Sequence, residues 1–186
     1  MLPVHRNLFT IFIYPILFVL SILLTGCIPQ TQKLDACSCA ESLNQPNMSQ
    51  TSLLVWANEA AVTAYTYNFV DYKKALQAAS QYFTPEGWKT FIAFLNSSGT
   101  LSKVINKKLL VTAVATGAPV IIEQQIMNRV YTWKVQIPLL ITYQSPSQIS
   151  HQPATVTMLI TRTPTNIGTR GLGIKQFTIS PAPKLE

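Results

Sequence analysis

The sequence predicts an α+β domain, with N-terminal helices packed on one face of a curved antiparallel sheet of four or five strands. Apolar residues recur with helical spacing from Leu53 to Leu95. From Leu109 onward the period changes to alternation, most clearly at Tyr131, Trp133, Val135, Ile137, Leu139, Ile141 and Tyr143. All the helical pattern precedes all the strand pattern, which is the order of an α+β fold and not of a doubly wound one.

The chain opens with a segment that is set aside before the fold is considered. Arg6 is followed by an apolar run from Leu8 to Leu24, and Leu24-Thr25-Gly26-Cys27 places leucine at −3, small residues at −2 and −1, and cysteine at +1. That is a lipobox, so residues 1–26 read as a lipoprotein signal peptide and Cys27 as the lipidated first residue of the mature chain. The alternative is an uncleaved anchor: Leu8 to Leu24 reaches the lower limit for spanning a bilayer, interrupted by Pro15. Either way the folded part faces the periplasm. Ile28 at +2 favours the outer membrane, whereas an uncleaved leader would hold the domain at the inner one.

Removing residues 1–26 from the 186 leaves 160, enough for one domain with a sizeable core. Residues 27–49 are polar and contain two prolines, and read as a flexible tether with a reach of roughly 25 Å. Cys37 and Cys39 lie in it as an even pair in an oxidising compartment. Such close neighbours bridge only in a small strained ring, so an intermolecular disulfide is the rival to a Cys37–Cys39 bond.

The folded domain is expected over 50–180. Ser49 can cap a first helix carrying Leu53, Ala57, Ala60 and Ala64 on one stripe, with Trp56, Thr63, Tyr67 and Val70 beside it. A second helical segment reads Tyr72, Leu76, Ala79, Phe83 and stops at Thr84-Pro85. Thr84 is the N-cap of a third helix, because Pro85 at its first position needs no amide partner and Glu86 meets the positive end of the helix dipole. Trp88, Phe91, Ile92 and Leu95 form its apolar face, and Asn96-Ser97-Ser98-Gly99 ends it. A short turn with Leu101, Val104 and Ile105 follows.

Strands are expected at 109–116 and 120–127, on either side of Gly117-Ala118-Pro119, and Asn128-Arg129 turns the chain into the longest strand. A two-residue turn there would hold Arg129, where glycine is the usual choice, at positive φ. Pro138 lacks a ladder donor, which predicts a bulge or an edge position. A polar loop runs from Gln144 to Pro153, then come strands through Val156, Met158 and Ile160 and near Leu172 to Ile179. Residues 181–186 form a low-complexity tail.

Residues for chemistry are sparse, and no catalytic, cofactor-binding or metal-ligating residue is assigned. His151 is the single histidine of the mature chain and is expected in the polar loop without a partner. The seven acids are scattered, and Glu59 and Asp71 fall at no spacing that pairs them, so their expected roles are solvation or capping. Losing Arg6 with the leader lowers the net charge from +7 to +6. Lys103, Lys107 and Lys108 are the densest basic cluster, which reads as a solvated face, and nucleic acid is not an expected partner. Nine aromatic residues from Tyr65 to Phe94 are more than a small helical layer needs: core packing is one reading, an exposed interface or groove the other.

Several blocks together resemble the IcmL/DotI family, the inner-membrane components of type IVB secretion systems related to the conjugation protein TraM. They are residues 44–49, Trp56-Ala57-Asn58-Glu59-Ala60, Tyr82-Phe83-Thr84-Pro85-Glu86-Gly87-Trp88, residues 113–120 and Tyr131-Thr132-Trp133-Lys134-Val135-Gln136, all in the family's order. The resemblance implies a periplasmic domain with the nuclear-transport-factor-like fold of VirB-type components. It also implies a role in assembly with other secretion-system proteins, a close paralogue or further copies of itself, as a homo- or hetero-oligomer, and it brings no catalytic residues. Family members carry an uncleaved span and a cytoplasmic tail, where this chain has a lipobox leader. The expected function is therefore that of a non-enzymatic, membrane-tethered periplasmic component. The alternative is a stand-alone periplasmic lipoprotein that binds a small apolar or peptide ligand in the cone-shaped cavity.

Overall fold

A computed structural model describes residues 42–182. Cys27, Cys37, Cys39, the leader and residues 183–186 lie outside the described residues.

Four helices come first: α1 (Gln50–Ala64), α2 (Tyr72–Ala79), α3 (Pro85–Ser97) and α4 (Thr100–Asn106). Six strands make one antiparallel sheet: β1 (Tyr67–Asn68), β2 (Leu110–Ala115), β3 (Val120–Met127), β4 (Val130–Gln144), β5 (Ile149–Arg162) and β6 (Leu172–Pro181). The order across the sheet is β1-β2-β4-β5-β6, with β3 beside β2 on the same edge of β4. The sheet curls into a half-barrel, and the helices pack against its inner face. This is the α+β architecture that the order of the two periodicities predicts.

The helix starts follow from local chemistry. The Ser49 hydroxyl accepts from the Ser52 amide at 3.1 Å, and that of Thr84 accepts from Gly87 at 3.1 Å; each satisfies an amide that has no partner within its helix. Thr84 also ties α3 to the sheet, since its amide donates to the Ile174 carbonyl at 3.0 Å.

The core lies between α1, α3 and the alternating inner residues of β4 and β5. Trp133, Val135, Ile137, Leu139 and Ile141 of β4 face Leu53, Trp56, Ala57, Ala60 and Ala64 of α1, together with Ala154, Val156, Met158 and Ile160 of β5. The alanines of α1 let its backbone approach the sheet. Phe83, Phe91 and Phe177 stack at 5.0–5.9 Å between α3 and β6, in the offset and tilted geometries that aromatic rings prefer. Tyr65, Tyr67, Tyr82, Phe83 and Phe91 are buried, so most of the aromatic cluster is core.

The β3–β4 turn is as the sequence predicts. Met127 pairs with Val130, and Asn128 and Arg129 sit between them at φ 51° and 66°, the signature of a type I′ turn.

The structure corrects five local expectations. The first helix ends at Ala64, and Tyr67 and Asn68 pair as a strand with Val111 and Leu110, because the edge of β2 offers them a ladder that continued helix does not. The second helix ends at Ala79; Ser80–Tyr82 tighten into a 3₁₀ turn, and Phe83 is extended. The segment 100–106 is a helix and not a turn. The 144–153 region is not a loop: Ser145–Gln148 close a tight turn through the Ser145 hydroxyl, and β5 begins at Ile149, so His151 is a strand residue opposite Thr142. That half of β5 carries Ser150, His151 and Gln152, which hides its strand character.

Pro138 sits neither at a bulge nor on an edge strand. It lies inside β4, paired with Thr155 on one side. On the other side its carbonyl accepts from Thr116 at 3.0 Å, where β2 ends and β3 has not begun. A residue's amide and carbonyl point to the same side of a strand, so the missing donor faces a break in the neighbouring ladder and nothing is lost.

Candidate interaction groove

The helices do not close over the whole inner face of the sheet. At the end carrying the β4–β5 turn, a groove of about 520 Å³ opens between α3 and α4 on one side and β4, β5 and β6 on the other. Tyr143 of β4 and Ser150 of β5, which line it, stand directly opposite each other in a row that continues through the buried Val111 of β2 and Tyr67 of β1. Directly opposed residues share a face, and Val111 is fully buried, so this row rises toward the helices. Phe94 comes from α3 and Ser98 from its C-cap, Lys103 and Lys107 from α4 and its end, and Ile179 from β6.

Three phenols meet at this end of the core. Burial raises the pKa of Tyr65, Tyr67 and Tyr143; Tyr67 and Tyr143 raise that of Tyr65 further, and Tyr143 does the same to Tyr67. All three are therefore O–H donors at neutral pH. The Tyr67 hydroxyl is buried and has no hydrogen-bond partner.

Charge in the groove has one sign. Lys103 and Lys107, four apart and so on one side of the helical turn, both line it, and no carboxylate does. Neither lysine has an ion-pair partner among the described residues.

Lys103, Lys107, Tyr65 and Phe94 are thus brought together here, whereas His151, Glu59 and Asp71 lie elsewhere. His151 Nδ1 is 3.0 Å from the Thr142 hydroxyl on the outer face of the sheet. Glu59 accepts from the Tyr82 hydroxyl at 2.7 Å, and burial followed by this carboxylate raises the Tyr82 pKa. Asp71 precedes α2 without a side-chain cap bond. Among the described residues no group of three His, Cys, Asp or Glu side chains could hold a metal ion. Also among them, no helix is long and apolar enough to cross a membrane.

The groove itself escapes sequence reasoning. Lys103 and Lys107 read as a solvated face, and the spacing of four was the one signal that they share a side. Tyr143 looked like any other alternating core residue. A second exposed feature, β3, is paired on one side only and shows Val120, Ile126 and Met127 to solvent, with a bulge between Ile121 and Glu123 that disrupts the edge.

The sequence model of the DotI/IcmL family, described as a type-IV b secretion system inner-membrane complex component, matches residues 33–181. This chain belongs to the DotI/IcmL family. Among solved structures, the periplasmic domain of DotI is 49% identical, with a TM-score of 0.72, covering 74% of this chain and 99% of that one. An IcmL-like type IV secretion system protein from Legionella pneumophila is 26% identical, with a TM-score of 0.67 over 76% of this chain and 99% of that one. A periplasmic fragment of TraM shares the fold, with a TM-score of 0.66 at 24% identity, covering 72% of this chain and 98% of that one. A comparison with curated proteins finds no match. The match to DotI thus extends over nearly the whole of that periplasmic domain.

Proposed function

We propose that this DotI/IcmL-family protein is a membrane-tethered periplasmic component of a type IVb secretion apparatus, acting through protein–protein assembly and not through catalysis. The observation that carries this reading is the 49% identity to the periplasmic domain of DotI over 99% of that domain. On this reading residues 1–26 are a cleaved leader and residues 27–49 a tether lipidated at Cys27, with a disulfide made by Cys37 and Cys39. Residues 50–180 are the assembly domain, and 181–186 a tail. Ile28 at +2 directs the anchor to the outer membrane. The partners are other secretion-system proteins, a close paralogue or further copies of the chain.

Two measurements test the proposal. Intact mass of the membrane-extracted protein should equal residues 27–186 plus acyl and glyceryl groups and revert to an unprocessed mass in Cys27→Ser; an unprocessed mass in both removes the lipid tether. Purification from crosslinked membranes should recover other secretion-system components at defined stoichiometry. A strictly monomeric domain without partners would overturn the assembly role and favour the second reading, a stand-alone lipoprotein that uses the groove for a ligand.

A further inference from the structure

We infer that the groove between α3–α4 and the β4–β5 end of the sheet receives an acidic peptide segment of a partner protein. The inference rests on the assembly role proposed above and names the chemistry of one of its contacts. Three independent features of the groove support it.

The first is electrostatic. Lys103 and Lys107 stand on the groove wall without an ion-pair partner among the described residues, and no carboxylate lines the groove to offset them. Two exposed ammonium groups on one groove, four residues apart, together set up a local positive potential that attracts carboxylates.

The second is the donor set beneath. Tyr143 and Ser150, directly opposite each other on β4 and β5, line the groove and bring two hydroxyls that can donate to a carboxylate or a peptide carbonyl.

The third is shape. At about 520 Å³ the groove lies within the range of ligand sites, and it is open along one side, so an extended chain can enter and leave. Phe94, Leu109 and Ile179 line it together with Gln148 and Gln152, which suits a peptide with apolar side chains and backbone amides. A small inorganic anion would leave most of that surface uncovered.

The test is site-specific photocrosslinking of the full-length protein in its own membrane. Phe94 is 38% exposed and lines the groove, so p-benzoylphenylalanine placed there reports what occupies it. Attachment sites mapped by mass spectrometry should fall in segments of another protein that carry Asp or Glu. The Lys103→Gln/Lys107→Gln double variant should lower adduct yield roughly fivefold or more, the equivalent of about 1 kcal/mol, while Lys134→Gln on the outer face leaves it unchanged. The mapped segment, synthesised, should bind the purified protein more tightly than its Gln-for-Glu counterpart. Adducts on lipid or on carboxylate-free segments, no adduct at all, or a yield indifferent to the double variant would each overturn the inference. Its failure is separable from that of the assembly role. Partners recovered from membranes with no groove adduct remove only the groove, whereas an acidic adduct on a protein unrelated to secretion removes the assembly role.

Discussion

Gly87, in the first turn of α3, lies against the carbonyl oxygen of Ile174 on β6, so close that a Cβ on Gly87 would overlap that oxygen. The contact sets how near the helical layer comes to the sheet, and the Thr84 amide donating to the same carbonyl holds it there. Gly87→Ala forces α3 off β6, and overpacking of this kind costs about 1–3 kcal/mol or more. Urea denaturation should show the loss as a lowered midpoint with an unchanged slope; a loss below 0.5 kcal/mol would mean that α3 slides freely.

Phe91 and Trp88 separate core from rim on the same helix. Phe91 is 1% exposed, stacks on Phe83 and packs at a tilt against Phe177, so Phe91→Ala should cost about 3–5 kcal/mol. Trp88 is half-buried against Phe83 at 5.5 Å and Phe91 at 5.9 Å, and its replacement by alanine should cost less, about 1–2 kcal/mol. Equal losses in thermal melts would contradict the observed packing.

Arg129 stores local strain. Holding an L-residue at φ 66° costs roughly 1–2 kcal/mol, and glycine gives back about 0.5–1 kcal/mol of that through unfolded-chain freedom. Arg129→Gly should therefore raise stability by about 0.5–1 kcal/mol. A destabilised Arg129→Gly variant would show that the arginine side chain makes a contact worth more than the strain.

Tyr67 and Tyr65 make stability fall at alkaline pH. In the unfolded chain their phenols ionise near the ordinary value of 10.0, while in the fold burial holds the proton to higher pH. Stability is therefore fully present below pH 10 and declines as pH rises beyond it, by up to about 1.4 kcal/mol per pH unit for each tyrosine. Tyr67→Phe removes a hydroxyl that has no partner, so it should be neutral or stabilising at pH 7 and should flatten the alkaline decline. Denaturation midpoints from pH 7 to 11 in wild type and Tyr67→Phe check both statements; parallel curves would exclude Tyr67 as a contributor.

Features that neighbouring residues decide are legible before any tertiary contact is known. Ser49 and Thr84 start helices because a hydroxyl reaches an amide three residues on, whatever the rest of the chain does. Asn128-Arg129 turns because a two-residue connection between alternating strands leaves one favoured backbone geometry. The alternation from Tyr131 to Tyr143 marks the inner face because a strand has period two. The tertiary structure decided what depends on partners distant in the chain. Tyr67 leaves the helical stripe only because Val111 offers a ladder, and β5 reaches back to Ile149 only because β4 is there to pair with its polar half. Pro138 is tolerated in a paired strand because the break between β2 and β3 falls opposite it. The groove, too, was invisible in the sequence: Tyr65 after α1, Lys103 of α4, Tyr143 of β4 and Ser150 of β5 are far apart in the chain, and only strand register and the docking of α3 on β6 bring them to one place.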